Sequence, residues 1–145
     1  MLTTAEGQDL ATGLRLAVTR TARRLRQEAG SGLSPSQTAA LASIDRHGPL
    51  TPSDLAARER IKRPTATRTI DNLEAAGLVE RGADPRDGRS CLVSATSTGR
   101  RVLAEQRERK DAYLARRLAG LTERDRTLLA GAVAVLERLL EEDPA

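Results

Sequence analysis

Residues 51–94 read TPSDLAARERIKRPTATRTIDNLEAAGLVERGADPRDGRSCLVS. The run opens on Thr51 and Pro52, with Asp54 two residues on. Threonine accepts from the free amides of a helix start, and proline fits the first turn because it has no amide to lose. Asp54 favours the positive helix end. A short helix is expected here, with Leu55 and Ala56 on its buried side. A second helix is expected from near Pro64 to Gly77, a glycine suited to the left-handed stop. Ala66, Ile70 and Leu73 recur at spacings of four and three, so they share one inward face. Thr65, Arg68, Thr69 and Asn72 recur on the opposite face, which is compact and polar and carries one long cation.

Past Gly77 the pattern changes. Leu78 and Val79 begin a strand, Gly82, Pro85 and Gly88 mark a loop, and Cys91, Leu92 and Val93 form a return strand. Arg86 and Arg89 fall at or near the loop tip, with Asp84 and Asp87 interleaved. Two helices joined by a tight basic turn and followed by a hairpin make a winged helix-turn-helix, a layout that lies on duplex DNA. The polar face of the second helix suits a major groove: Arg68 is the type of side chain that reads guanine, and the methyl groups of Thr65, Thr67 and Thr69 suit thymine. The start of that helix lacks an ordinary cap, because Lys62 and Arg63 ahead of Pro64 cannot accept a hydrogen bond. Residues 58–68 hold five basic groups and one acid, a local charge of +4. Free amides beside that charge favour a phosphate over water as the filler.

The wing residues Asp84, Pro85, Arg86, Asp87, Gly88 and Arg89, followed by Leu92-Val93-Ser94-Ala95-Thr96 and by Gly99-Arg100, resemble the MarR family of bacterial transcription regulators. Leu73-Glu74-Ala75-Ala76-Gly77-Leu78-Val79 is similar to that family's run from the recognition helix into Gly-Leu-Val. The resemblance covers residues 10–142. It implies a minor-groove contact by Arg86, oriented by Asp84. It also implies a dimeric repressor whose small ligand, often aromatic or amphipathic, binds between a DNA-binding lobe and a dimer lobe and releases the DNA. On this reading residues 1–145 form a single MarR-like domain: a winged helix-turn-helix over about 34–97 and dimerisation helices over about 8–29 and 98–142. The fold class is mainly α with a small β-hairpin wing and a helical dimerisation lobe.

The rest of the chain fits that frame. Its 145 residues suit one domain with a real core. The formal net charge is only +4, but residues 121–145 carry six acids against three bases, so the excess positive charge sits elsewhere, including the helix-turn-helix. All but Lys62 and Lys110 of the 24 basic residues are arginine, which phosphate contacts favour and a genomic codon bias would equally produce. Tyr113 is the only aromatic residue. Readers of single strands and of RNA stack bases on aromatic rings, so duplex DNA is favoured as the partner. Cys91 is the only cysteine, which excludes an internal disulfide and makes a reducing, cytoplasmic compartment the default. No apolar run approaches membrane-spanning length, and the N-terminus does not read as a signal peptide.

Ahead of the central unit, Leu10, Leu14, Val18 and Leu25 mark a first helix that Gly30-Ser31-Gly32 ends. Ser34-Pro35-Ser36-Gln37 is a capping box that opens a second one carrying Ala40, Leu41 and Ile44, closed by His47-Gly48-Pro49. After it, Thr96 opens a fifth helix running to Gly120. Val102 and Leu103 lie near its start, and Tyr113, Leu114, Leu118 and Leu121 near its end. Between them, residues 106–111 are polar throughout and read as wet, as on a strut. Thr122 and Asp125 start the last helix, where Leu128, Leu129, Ala132, Val133, Leu136, Leu139 and Leu140 make a broad apolar stripe. A terminal stripe this apolar needs a partner, and a second copy gives a two-fold homodimer.

Catalytic chemistry finds few residues. His47, the only histidine, sits at a helix end, where bonding the last carbonyls and complementing the dipole is its expected role. One histidine and one cysteine cannot supply a zinc tetrad, and no Walker-type glycine loop occurs. No enzyme activity, metal or cofactor is expected. Glu141, Glu142 and Asp143 read as a solvated tail. Some MarR relatives sense oxidants through a cysteine of the N-terminal helix, whereas Cys91 lies on the return strand, so inert packing is its expected role. The competing reading is a winged-helix protein-interaction module without DNA binding. Arg58, Lys62, Arg63, Arg68, Arg86 and Arg89 argue against it, since such a module has no need for a cationic turn and wing.

Overall fold

The computed structural model describes residues 1–141, and within them the chain divides after Lys110 into two compact units. Glu142 and Asp143 of the expected acidic tail lie outside the described residues. The element order is α1 (Thr4–Ala29), α2 (Pro35–His47), α3 (Pro52–Glu59), α4 (Arg63–Ala75), β1 (Val79–Ala83), β2 (Cys91–Ala95), α5 (Ser97–Ala119) and α6 (Glu123–Glu141). The mainly α class with one β-hairpin wing is therefore the observed one.

Local chemistry sets the element starts in the first unit. Ser34 and Gln37 form a reciprocal capping box on α2, with amide-to-side-chain distances of 2.9 and 3.1 Å. Thr51 and Asp54 form another on α3, at 3.2 and 3.1 Å, so Asp54 does more than favour the helix dipole: it bonds the Thr51 amide. A third box, Thr3 with Glu6, starts α1 at Thr4 rather than at about residue 8. At the end of α2 the ring of His47 makes no hydrogen bond among the described residues; the Gly48 amide donates to the Ile44 carbonyl instead, at 2.8 Å. That corrects the carbonyl-bonding role expected of His47.

The core forms where α2, α3 and α4 meet the hairpin. Leu41, Ile44, Leu55, Ile70, Leu73 and Val93 are fully buried, each contributing roughly 1.5–3 kcal/mol by removal from water. β1 and β2 pair antiparallel with Val79 opposite Ala95 and Arg81 opposite Val93. Leu50, in the linker before α3, adds a bridge the sequence reading missed: it exchanges backbone hydrogen bonds of 3.0 and 2.7 Å with Val93. Gly99 lets the first turn of α5 lie on the hairpin, since a Cβ there would stand 2.1 Å from the Leu78 carbonyl oxygen. Thr96 joins the same corner, donating to the Gly77 carbonyl at 2.7 Å and accepting from the Gly99 amide at 3.0 Å.

The middle of α5 is not wet throughout. Gln106 is only 2% exposed, and its amide nitrogen donates to the Ser31 hydroxyl, while Arg109 donates to the Ala29 carbonyl at 2.8 Å. These bonds hold α5 to the end of α1, where Gly30 takes the left-handed conformation. Ala22, Leu25, Arg26, Ser31, Gln106 and Lys110 are among the residues lining a cavity of about 350 Å3 beside them.

In the second unit, Thr122 caps α6 by accepting from the Asp125 amide at 3.1 Å. Arg126 donates to the Leu121 carbonyl in the turn after α5 at 2.7 Å and to the Leu118 carbonyl of the last α5 turn at 3.4 Å. α6 buries none of its residues. Leu128, Val133, Leu139 and Leu140 are each more than half exposed.

Candidate nucleic-acid interface

The turn between α3 and α4 gathers the strongest local charge. Arg60 closes α3 in the left-handed conformation, φ 52°, and Ile61 then packs against the core. The chain re-enters a helix at Arg63, one residue ahead of Pro64, with Lys62 as the cap residue. Among the described residues no side chain caps the free amides of this helix start. Lys62, Arg63, Pro64 and Thr65 are exposed there. The site thus offers unsatisfied donors, the positive end of a helix dipole and two cations together, which suits an anion.

Along α4 the inward face is as expected: Ala66, Ile70 and Leu73 are all fully buried. Arg68 and Asn72 are exposed, and Thr67 is half-buried. Thr69 corrects the outward face. It is 9% exposed, and its hydroxyl donates to the Thr65 carbonyl at 2.9 Å, so it turns its hydrogen-bonding group back into the helix. Helical spacing could not reveal this, because Thr69 lies at the margin of the buried stripe and threonine fits either side.

At the wing tip two aspartates do the same local job. Asp84 accepts the Arg86 amide and Asp87 accepts the Arg89 amide, both at 2.9 Å. These are backbone turns fixed by side chains. The contact that Asp84 makes with Arg86 is to its backbone amide, through one carboxylate oxygen, and no ion pair with the guanidinium occurs among the described residues. Both arginines are exposed, and neither makes an ion pair among the described residues.

One tie in this region was missed from sequence. Arg81 on β1 reaches back to α4, donating to Asp71 at 2.5 Å and to Glu74 at 2.6 Å. The hydrogen bond to Asp71 pushes the Arg81 pKa up against partial burial, with the Glu74 charge adding to it. The signal available was one cation on a strand within reach of two acids a helical turn apart.

Cys91 is half-buried and packs against the core beside the hairpin. No group of three or more histidine, cysteine or acidic residues that could hold a metal occurs among the described residues, and no helix among them is long and apolar enough to cross a membrane.

Known proteins share this arrangement. A MarR family model matches residues 31–90. Over 136 residues the chain is 39% identical to an HTH-type transcriptional regulator of Mycobacterium bovis, spanning 93% of this chain and 95% of the relative. The chain belongs to the MarR family. MarR proteins are transcription regulators, not enzymes. A crystal structure from Pseudomonas aeruginosa, of a protein described as a transcriptional regulator, superposes with a TM-score of 0.86 at 41% identity, covering 98% of this chain and all of that one. The fold also matches that of a Staphylococcus aureus MepR mutant bound to an oligodeoxyribonucleotide, with a TM-score of 0.70 at 19% identity, covering 90% of this chain and 97% of that one.

Proposed function

We propose that this MarR-family regulator is a homodimeric repressor that reads a near-palindromic duplex through α4 and the wing, and that a small ligand releases it. The observation that carries the reading is the start of α4, flanked by Lys62 and Arg63 and without a side-chain cap among the described residues. A DNA phosphate supplies the missing acceptor. From that anchor Thr65, Thr67, Arg68 and Asn72 meet base edges in the major groove, Arg86 enters the minor groove, Arg89 meets a phosphate, and Asp84 shapes the loop that carries Arg86. Thr69 drops out of the reading set. The MepR mutant bound to an oligodeoxyribonucleotide supports DNA as the partner of this fold.

The dimer rests on the apolar faces left open. Leu10, Leu14 and Val18 of α1 are exposed, as is most of the α6 stripe. Monomeric proteins rarely leave patches of that kind uncovered. A second copy covers them, through the residues assigned above to dimerisation, and light scattering reads this as twice the chain mass. The cavity of about 350 Å3 beside Gln106 is of a size that holds a small ligand and is the place we assign to the effector. A regulator of this kind works in the cytoplasm, where its DNA lies.

Titration with a pool of random-sequence duplexes, followed by sequencing of the bound fraction, tests the reading. Enrichment of related duplexes is expected. Recovery of an unselected pool would instead favour the protein-interaction module.

A further inference from the structure

Arg81 occupies a particular place in the hairpin. Below it, Leu78 and Val79 are 5% and 2% exposed, and the Leu78 amide donates to the Leu73 carbonyl at 2.9 Å, so the strand base is already fixed by the core. Opposite it stands Val93, buried and bridged to Leu50. Above it, Gly82 and Ala83 are exposed, and the side-chain hydrogen bonds of the tip, from Asp84 and Asp87, are local to the tip. Among the described residues, the fork from Arg81 to Asp71 and Glu74 is the side-chain hydrogen-bonded tie from the wing to the recognition helix. Asp71 and Glu74 are 58% and 41% exposed. Ion pairs that wet add little to stability. A planar guanidinium with two acceptors one turn apart instead fixes direction.

We propose that Arg81 is a positioning residue for DNA reading: by gripping Asp71 and Glu74 it sets the wing at a fixed angle to α4, so that Arg86 meets the minor groove while α4 occupies the major groove. This rests on the DNA-reading function proposed above. Arg81 itself touches no DNA in this account. The opposing account makes Arg81 a charge screen that hides two acids from the phosphates. The two differ in sign. Removing the acids would help binding if they only repel DNA, and harms it if they anchor the wing.

The test measures operator affinity, on a duplex recovered from the random pool, for Arg81→Met and for the double variant Asp71→Asn/Glu74→Gln, each alone and combined with Arg86→Ala. Each is expected to weaken binding roughly tenfold and to erase the preference for A·T pairs beside the half-sites, with the base preference set by Arg68 intact. Adding Arg86→Ala should then cost little more, because a misdirected wing has already lost that contact. Tighter binding by the Asp71→Asn/Glu74→Gln variant, or losses that simply add to that of Arg86→Ala, would overturn the positioning role alone. A parent chain that selects no duplex would overturn the DNA reading, and this inference with it. The thermal melt of each variant, expected close to the parent's, separates misdirection of the wing from loss of fold.

Discussion

The Asp84 carboxylate accepts the Arg86 amide at 2.9 Å, while the Arg86 guanidinium makes no ion pair among the described residues. The acid beside the arginine therefore shapes the loop rather than holding the side chain. Asp84→Ala should weaken operator binding although it removes a negative charge that faces DNA. Asp84→Asn, which keeps the acceptor oxygen, should retain most of the affinity. Fluorescence anisotropy on the selected duplex checks both. Tighter binding by Asp84→Ala would mean that plain charge, not loop shape, governs the wing.

Arg68 and Thr69 sit side by side in α4 but should behave differently. Arg68→Ala should relax selectivity at one position per half-site, at a cost of about 1–3 kcal/mol there. Thr69→Val removes a buried hydroxyl whose partner, the Thr65 carbonyl, is a backbone acceptor of the same helix. It should leave selectivity unchanged and alter stability by no more than about 1 kcal/mol. Binding to a panel of single-base operator variants distinguishes the two.

The division between what was legible in the sequence and what was not follows from the range of the forces. The cap of α3 at Thr51, the buried Ala66, Ile70 and Leu73, and the turn at Gly77 are set by neighbours within a few residues, so spacing and residue type reveal them. The Thr3 and Glu6 box was equally local, and was missed because no apolar period accompanies it. Other features depend on distant chain. Gln106 meets Ser31, Leu50 bridges Val93, and Arg81 reaches Asp71, and a polar residue in such a place reads as solvated until its partner is known. The candidate site divides the same way: its cations were evident from charge density, while the inward turn of Thr69 and the backbone role of Asp84 required coordinates.

Gly99 offers a stability test. A methyl group there would stand 2.1 Å from the Leu78 carbonyl oxygen and 3.3 Å from a Leu41 methyl carbon. Both neighbours are buried, and the carbonyl is backbone, so α5 must shift away. Gly99→Ala should cost at least the roughly 1–3 kcal/mol typical of overpacking, and the urea midpoint should fall accordingly. An unchanged midpoint would show that α5 can move freely at this corner.

Cys91 packs half-buried against the core on β2. Peroxide treatment should leave DNA affinity as it was, and Cys91→Ser should behave like the parent. Reversible loss of binding on oxidation, absent in the serine variant, would make Cys91 a switch.

The central claim is that two copies of α4, held by a dimer, read one duplex together. Hydroxyl-radical footprinting of the protein on its selected duplex tests this most directly. The expected pattern is two protected half-sites in inverted orientation, their centres roughly one helical turn apart, about 10 to 10.5 base pairs. Protection of a single asymmetric site would contradict it.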